Sequence, residues 1–175
     1  MIARYEHLAQ KFNSIERVTL IDFRILQLLC HSISISSVQI FKVVKKSGFL
    51  ATLINLLFRL PNANIVHNLI EKVIVHIFKS EKSIYEYYKE HLFHELDIIK
   101  MTTVGVINEE FKVLQKKGYL RHLVRIIKIY SQIETNNINI TNNISKHREL
   151  WPIVINRILS PYEALTHKEL GSYTN

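Results

Sequence analysis

Among the side chains of this 175-residue chain that could take part in binding or catalysis, lysines and arginines form the clearest pattern. Between Phe111 and Tyr130 there are six lysines and arginines and no acid: Lys112, Lys116, Lys117, Arg121, Arg125 and Lys128. The last three are spaced i, i+4 and i+7, which places them on one face of a helix. Three further cations, Lys146, Arg148 and Arg157, flank Trp151. Such a surface suits phosphate groups or an acidic protein, and it is also typical of a solvated helix face.

Nucleophilic and metal-binding patterns are weak by comparison. Cys30 precedes His31, but adjacent helical residues point about 100° apart, so we predict a buried structural thiol. His91 and His94 have a spacing that can serve a metal, yet no convincing third ligand lies nearby. Phosphate-binding and dinucleotide-binding glycine loops are absent from the sequence. We therefore predict a protein that is not an enzyme, with no cofactor, no metal and no small-molecule substrate.

The composition is that of one ordinary domain, so we assign residues 1–175 to a single domain. Hydrophobic residues make up 47% and charged residues 22%, and the net charge is +8 with neutral histidines. This excess of positive charge favours an anionic partner. Every apolar run is far shorter than the roughly 20 residues that cross a bilayer. We expect no membrane association and a cytoplasmic location.

Helical periodicity extends over nearly the whole chain, which predicts an all-α fold of eight to ten helices. We expect Ser14 to cap a second helix that buries Val18, Ile21, Ile25, Leu28 and Leu29 on one face. Gly48 and Gly118 follow paired lysines and are predicted to end helices in the left-handed conformation. The asparagine-rich segment 134–145 is predicted to be a mobile surface loop. Ser160, with Pro161 and Glu163, is expected to open a short final helix.

A weak internal repeat indicates how the helices are arranged. The order glycine, aromatic, leucine, then leucine and a β-branched residue starts at Gly48 and again 70 residues later, at Gly118. Two steps of about 35 residues fit the stacked helical units of armadillo or HEAT proteins. Any helix that follows a glycine stop also has this appearance, and the pattern alone does not separate the two explanations. We predict an armadillo or HEAT-like superhelix.

Two segments resemble the C-terminal part of the SAPS domain, found in regulatory subunits associated with protein phosphatase 6. In the first, Pro61, Asn64, His67 and Glu71 match the family pattern, whereas Asn62 and Ala63 replace its tryptophan and first asparagine. The second runs from Gly118 to Ile126 and is similar to the pattern Gly-Tyr-apolar-Gly-His-Leu-x-Arg-Ile. Arg121 stands where the family usually has glycine. Trp151 resembles the tryptophan at the centre of the family's terminal helix.

The resemblance implies a helical scaffold without enzyme activity that binds a phosphatase catalytic subunit. It also leads us to expect that six residues form a structural seam: Asn64, His67, Glu71, Gly118, His122 and Trp151. Because the chain opens at Met1 where family members have preceding repeats, we expect a truncated scaffold. The basic excess leaves a second hypothesis open, a small factor that binds ribosomal RNA and ribosomal proteins through the lysines and arginines named above.

Overall fold

The computed structural model describes residues 2–35, 37–107, 110–131, 138–147 and 149–171. All regular structure within these ranges is helical, and the all-α helical-repeat prediction is confirmed. The α-helices are, in chain order, α1 Ile2–Ser14, α2 Leu20–Ser34, α3 Val38–Lys46, α4 Phe49–Arg59, α5 Asn64–Lys79, α6 Ser83–Glu90, α7 Ile98–Ile107, α8 Phe111–Leu114, α9 Leu120–Ser131, α10 Ile138–Lys146, α11 Leu150–Val154 and α12 Ser160–Gly171.

Helix α5 lies at the centre of the packing, because it contacts α2, α4, α6 and α9. Its buried side includes Val66, Ile70, Ile74 and Ile77, which recur three or four residues apart. This spacing places them along one side of the helix, where they join a core built largely from α4, α5 and α9. Among the described residues, no helix is long and apolar enough to cross a membrane.

Helix α2 begins later than the sequence predicts. Ser14 is the last residue of α1, and Thr19 caps α2 by accepting a hydrogen bond from the backbone N–H of Asp22. The side chain of Asp22 accepts from the Thr19 backbone in return, which completes a capping box. The buried side of α2 also differs from the prediction. Ile21 and Leu28 are each 71% exposed, so the predicted apolar face of this helix is wrong at both positions.

The segment predicted as an asparagine-rich loop is in large part helical. Residues 134–137 lie outside the described residues, but α10 covers Ile138–Lys146, so the loop prediction is wrong from residue 138 onward. Ile140 and Asn143 of this helix are buried, as is His147 directly after it, and the three recur at helical spacing. Two of the three are polar, so an apolar pattern did not reveal this buried face.

Two helices contain a turn of π-helix. Helix α6 continues into the π-helical turn His91–Glu95, and α11 continues through Ile155–Leu159 into α12. Ser160 has helical dihedral angles and donates its backbone N–H to Ile155, so the predicted cap at Ser160 is wrong. Pro161 has no N–H to donate, and a wider turn just before it lets the helix continue past the proline. The final helix is therefore longer than predicted.

Candidate protein-binding surface

The two segments that carry the family resemblance meet at the contact between α5 and α9. The backbone N–H of Gly118 donates a hydrogen bond of 2.8 Å to the carbonyl of Pro61. A β-carbon at Gly118 would lie 2.3 Å from Oδ1 of Asn64 and 3.0 Å from the Pro61 carbonyl oxygen. Gly118 does not have a positive φ, so the predicted left-handed stop is wrong at this position. Close approach of the Asn64 side chain and of the Pro61 backbone is the reason for glycine here.

His67 is buried one turn into α5 and faces α9. Its Nε2–H donates to the carbonyl of Leu60 at 2.7 Å, and its ring lies edge-on to Tyr119. The ring centres of His67 and His122 are 5.7 Å apart. Burial lowers the pKa of His67, and the neighbouring His122 acts in the same direction, against the opposing effect of the Leu60 hydrogen bond. His67 is thus a structural group of the interior.

Glu71 connects the two helices. One carboxylate oxygen accepts a hydrogen bond of 2.5 Å from Nδ1 of His122, and the other accepts one of 3.1 Å from Arg125. Glu71 and His122 are largely buried, with side-chain exposures of 14% and 4%, whereas Arg125 is 52% exposed. The structure thus brings together five of the six residues assigned to the seam. The side chain of Trp151 lies outside the described residues.

The basic face of α9 is partly neutralised by acids from other helices. Arg125 pairs with Glu71 of α5, and Lys128 pairs with Glu163 of α12. Arg121 is exposed, and no ion pair involves it among the described residues. The sequence missed both acidic partners because they lie 54 and 35 residues away along the chain. No local pattern encodes such a contact.

The remaining cations of this stretch precede α9. Lys112 lies on α8, and Lys116 and Lys117 lie in the turn that leads to Gly118. Lys112 and Lys116 are exposed, and Lys117 is half-buried. Within the described part of the chain, no carboxylate pairs with any of these three lysines. Together with Arg121 they form what we call the basic patch: Lys112, Lys116, Lys117 and Arg121.

The other predicted cations are dispersed. Lys146 lies 3.6 Å from Asp97, just before the first residue of α7, and Arg157 donates to the carbonyl of Ile107, the last residue of α7. A ten-residue helix is about 15 Å long, so these two side chains mark opposite ends of α7 and do not form one cluster. Arg148 lies outside the described residues.

Cys30 and His91, the weaker candidates for catalysis or metal binding, are both buried. Cys30 is buried, as predicted, and burial raises the pKa of its thiol to about 12. Nδ1–H of His91 donates to Glu95 at 3.0 Å, and burial lowers the pKa of His91, whereas His94 is exposed. In the described ranges, no group of three or more potential ligands is arranged to hold a metal.

Comparison with known proteins identifies the family. The family model described as SIT4 phosphatase-associated protein, SAPS, matches residues 40–167, which includes the whole α5–α9 contact. Neither the curated proteins nor the solved structures contain a match to this chain. The matched range covers most of the 175 residues, and the chain belongs to the SAPS family.

Proposed function

We propose that this chain is a non-enzymatic helical scaffold that binds the catalytic subunit of a protein phosphatase. The family match over residues 40–167 carries this proposal, because it names a phosphatase-associated protein. The geometry is in accord with it. The matched residues at the α5–α9 contact are engaged in packing and internal hydrogen bonds, as a scaffold requires, and the basic patch leaves charged side chains accessible to a partner.

The basic patch is the surface that we assign to the partner. Arg121 and Lys116 are both exposed and lie on either side of the turn at Gly118. The tight contact between Gly118 and Pro61 holds this turn against α5. A patch held in this way needs little ordering on binding, which favours a specific contact with an acidic surface of the phosphatase.

Ribosome binding is the second candidate function, and the charge of the chain is its only support. Arg125 and Lys128, two cations of the predicted stripe, are paired with Glu71 and Glu163. A carboxylate beside each cation weakens its attraction for a phosphate group. Lys146 and Arg157 lie away from one another, at the two ends of α7. These contacts shorten the continuous basic stripe on which the ribosome-binding hypothesis depends.

The test is a binding assay with a purified SIT4-type phosphatase catalytic subunit. We expect the wild-type chain to retain it at moderate salt and the variant Lys116→Glu/Arg121→Glu to bind at least tenfold more weakly. The matched control is Lys42→Glu/Lys100→Glu, which reverses two exposed lysines on α3 and α7 and should bind like the wild type. Failure of the wild type to retain the phosphatase would refute the proposal. Co-sedimentation with ribosomes that is lost as salt rises, and lost in the patch variant alone, would favour the second candidate.

A further inference from the structure

Helix α2 presents an apolar line to solvent. Ile21, Leu28 and Ile35 are spaced seven residues apart, and their exposures are 71%, 71% and 59%. Seven residues make close to two helical turns, so the three side chains lie along one side of α2 and of the turn that ends it. Single exposed apolar side chains are common on protein surfaces, so this line becomes informative together with the groove that lies beside it.

A groove runs beside this line, between α2 and α5. Its volume is about 590 Å³. The buried residues Ile33 and Val73 contribute to its floor, and Leu28 and Leu69 form part of its walls. The lining residues that belong to α2 extend from Arg24 to Ser34, which corresponds to about 15 Å of helix. This length fits about three turns of a helix lying in the groove.

The described side chains that line the groove include two permanent cations and no carboxylate. Arg24 of α2 and Lys72 of α5 line it from opposite helices, and His31 and His76 also line it. No aspartate or glutamate is among the described residues that line this groove. Arg24 donates to the neutral side chain of Gln27 at 3.0 Å, and among the described residues no ion pair involves Arg24 or Lys72. The two cations are therefore available to carboxylates of a partner.

We infer that this groove binds an amphipathic acidic helix of a partner protein, with leucine-like side chains on the floor and glutamates or aspartates against Arg24 and Lys72. Docking of an apolar helix face into a groove is a common mode of peptide recognition. The cations on both sides select acidic flanks, whereas a nucleic acid would leave the apolar floor unused. Helix α2 precedes residue 40, so half of this groove lies outside the range that the family model matches. The proposed surface is also distinct from the basic patch, whose residues lie on α8, α9 and the turn between them.

Fluorescence anisotropy with synthetic peptides tests the inference. The first peptide has 16 residues, leucines at helical spacing and glutamates on both flanks. The second keeps the leucines and replaces the glutamates with lysines, and the third keeps the glutamates and replaces the leucines with serines. We expect only the first peptide to bind, and we expect Leu28→Ser and Lys72→Glu each to weaken its binding at least tenfold. Both positions are exposed, so the fold should persist, and circular dichroism checks this.

Two control variants test whether the loss of peptide binding is specific to substitutions in this groove. Arg121→Glu, in the basic patch, and Lys100→Glu, on α7, should each bind the first peptide like the wild type. The inference is wrong if no peptide binds, if the lysine or the serine peptide binds as tightly as the first, or if the groove variants bind like the wild type. A dimer in sedimentation that becomes monomeric with Leu28→Ser would show that a second copy covers this face, and it would overturn the inference as well.

Discussion

Gly118 and Asn64 lie so close that a single added methyl group on the glycine would meet the Asn64 side chain at 2.3 Å. The contact joins the turn before α9 to the first residue of α5. It accompanies the hydrogen bond from Gly118 to Pro61, which ties the two turns together at 2.8 Å. The seam between α5 and α9 therefore depends on a glycine because of what lies opposite it and not because of its own dihedral angles.

Replacement of Gly118 by alanine should destabilise the fold by about 1–3 kcal/mol, since the added methyl group overpacks this contact. The nearest obstacle is the end of the Asn64 side chain, so Asn64→Ala in the same protein should recover a large share of the loss. Urea unfolding of the two single variants and the double variant measures this coupling. Purely additive losses would show that the Pro61 carbonyl, 3.0 Å away, is the true obstacle.

At Gly48 the backbone conformation, and not a close neighbour, is the reason for glycine. Its φ is +67°, and nothing lies within 4 Å of an added β-carbon. The left-handed conformation costs an alanine roughly 1–2 kcal/mol, and the lower entropy of the unfolded chain offsets about 0.4–1 kcal/mol of this. We expect Gly48→Ala to lower the free energy of unfolding by about 1 kcal/mol. Gly48→Asn should cost less, because asparagine tolerates this conformation, and no substitution of a neighbour should rescue the alanine variant.

Local signals in the sequence were sufficient to predict the helical class of the fold and some of its helix ends. Apolar periodicity predicted the all-α fold, and the predicted helix end at Gly48 agrees with the end of α3 at Lys46. The left-handed Gly48 was also predictable, because paired lysines and a glycine mark a helix end. The residues that meet at the α5–α9 contact were expected from the resemblance to the SAPS domain and not from these local signals.

The features that could not be predicted from the sequence depend on contacts between residues far apart in the chain. Glu71 is 54 residues from Arg125, and no spacing rule predicts that it neutralises a cation of α9. Leu28 has the apolar character of a core residue, yet no described neighbour covers it, and periodicity alone does not tell which apolar positions on a helix find a partner. Helix α10 escaped prediction because tertiary packing stabilises a segment whose own helix propensity is low.

The pair of Lys11 and Asp22 predicts a pH dependence of stability. Lys11 donates to Asp22 at 2.5 Å, and this bond, with that from Thr19, lowers the pKa of Asp22 to about 2. Because the pKa of Asp22 is lower in the folded than in the unfolded chain, its ionised form stabilises the fold at pH values above the unfolded pKa of 3.8. This stabilisation is lost as the pH falls toward 2.

Asp22→Asn should therefore cost about 1–2 kcal/mol at pH 7, since the half-exposed Lys11 is screened by solvent and reduces the full effect of the shift. The difference between variant and wild type should shrink between pH 4 and pH 2. Denaturant unfolding at several pH values gives this profile, with Glu16→Gln, at a nearby exposed position, as the control. A difference that stays constant from pH 7 to pH 3 would rule out the ion pair as its source.

Cys30 should be unreactive in the folded protein. The thiol is buried, and its pKa of about 12 leaves almost no thiolate near neutral pH. We expect an aromatic disulfide reagent at pH 8 to label native Cys30 at least 100-fold more slowly than the chain unfolded in guanidinium. Leu28→Cys provides the matched control, because this position lines the same groove and is 71% exposed. Equal labelling rates at the two positions would contradict the burial of Cys30.

The hydrogen bond between Glu71 and His122 should contribute more to stability than the neighbouring ion pair with Arg125. Removal of the carboxylate in Glu71→Ala leaves the buried Nδ1–H of His122 without an acceptor, which costs about 1–3 kcal/mol. Arg125 is half-exposed, so Arg125→Ala should cost less than about 1 kcal/mol. Thermal unfolding of both variants compares the two contributions, and a double-mutant cycle of Glu71 and His122 isolates the buried bond. If Arg125→Ala were the more destabilising change, the surface pair and not the buried hydrogen bond would hold α9 to α5.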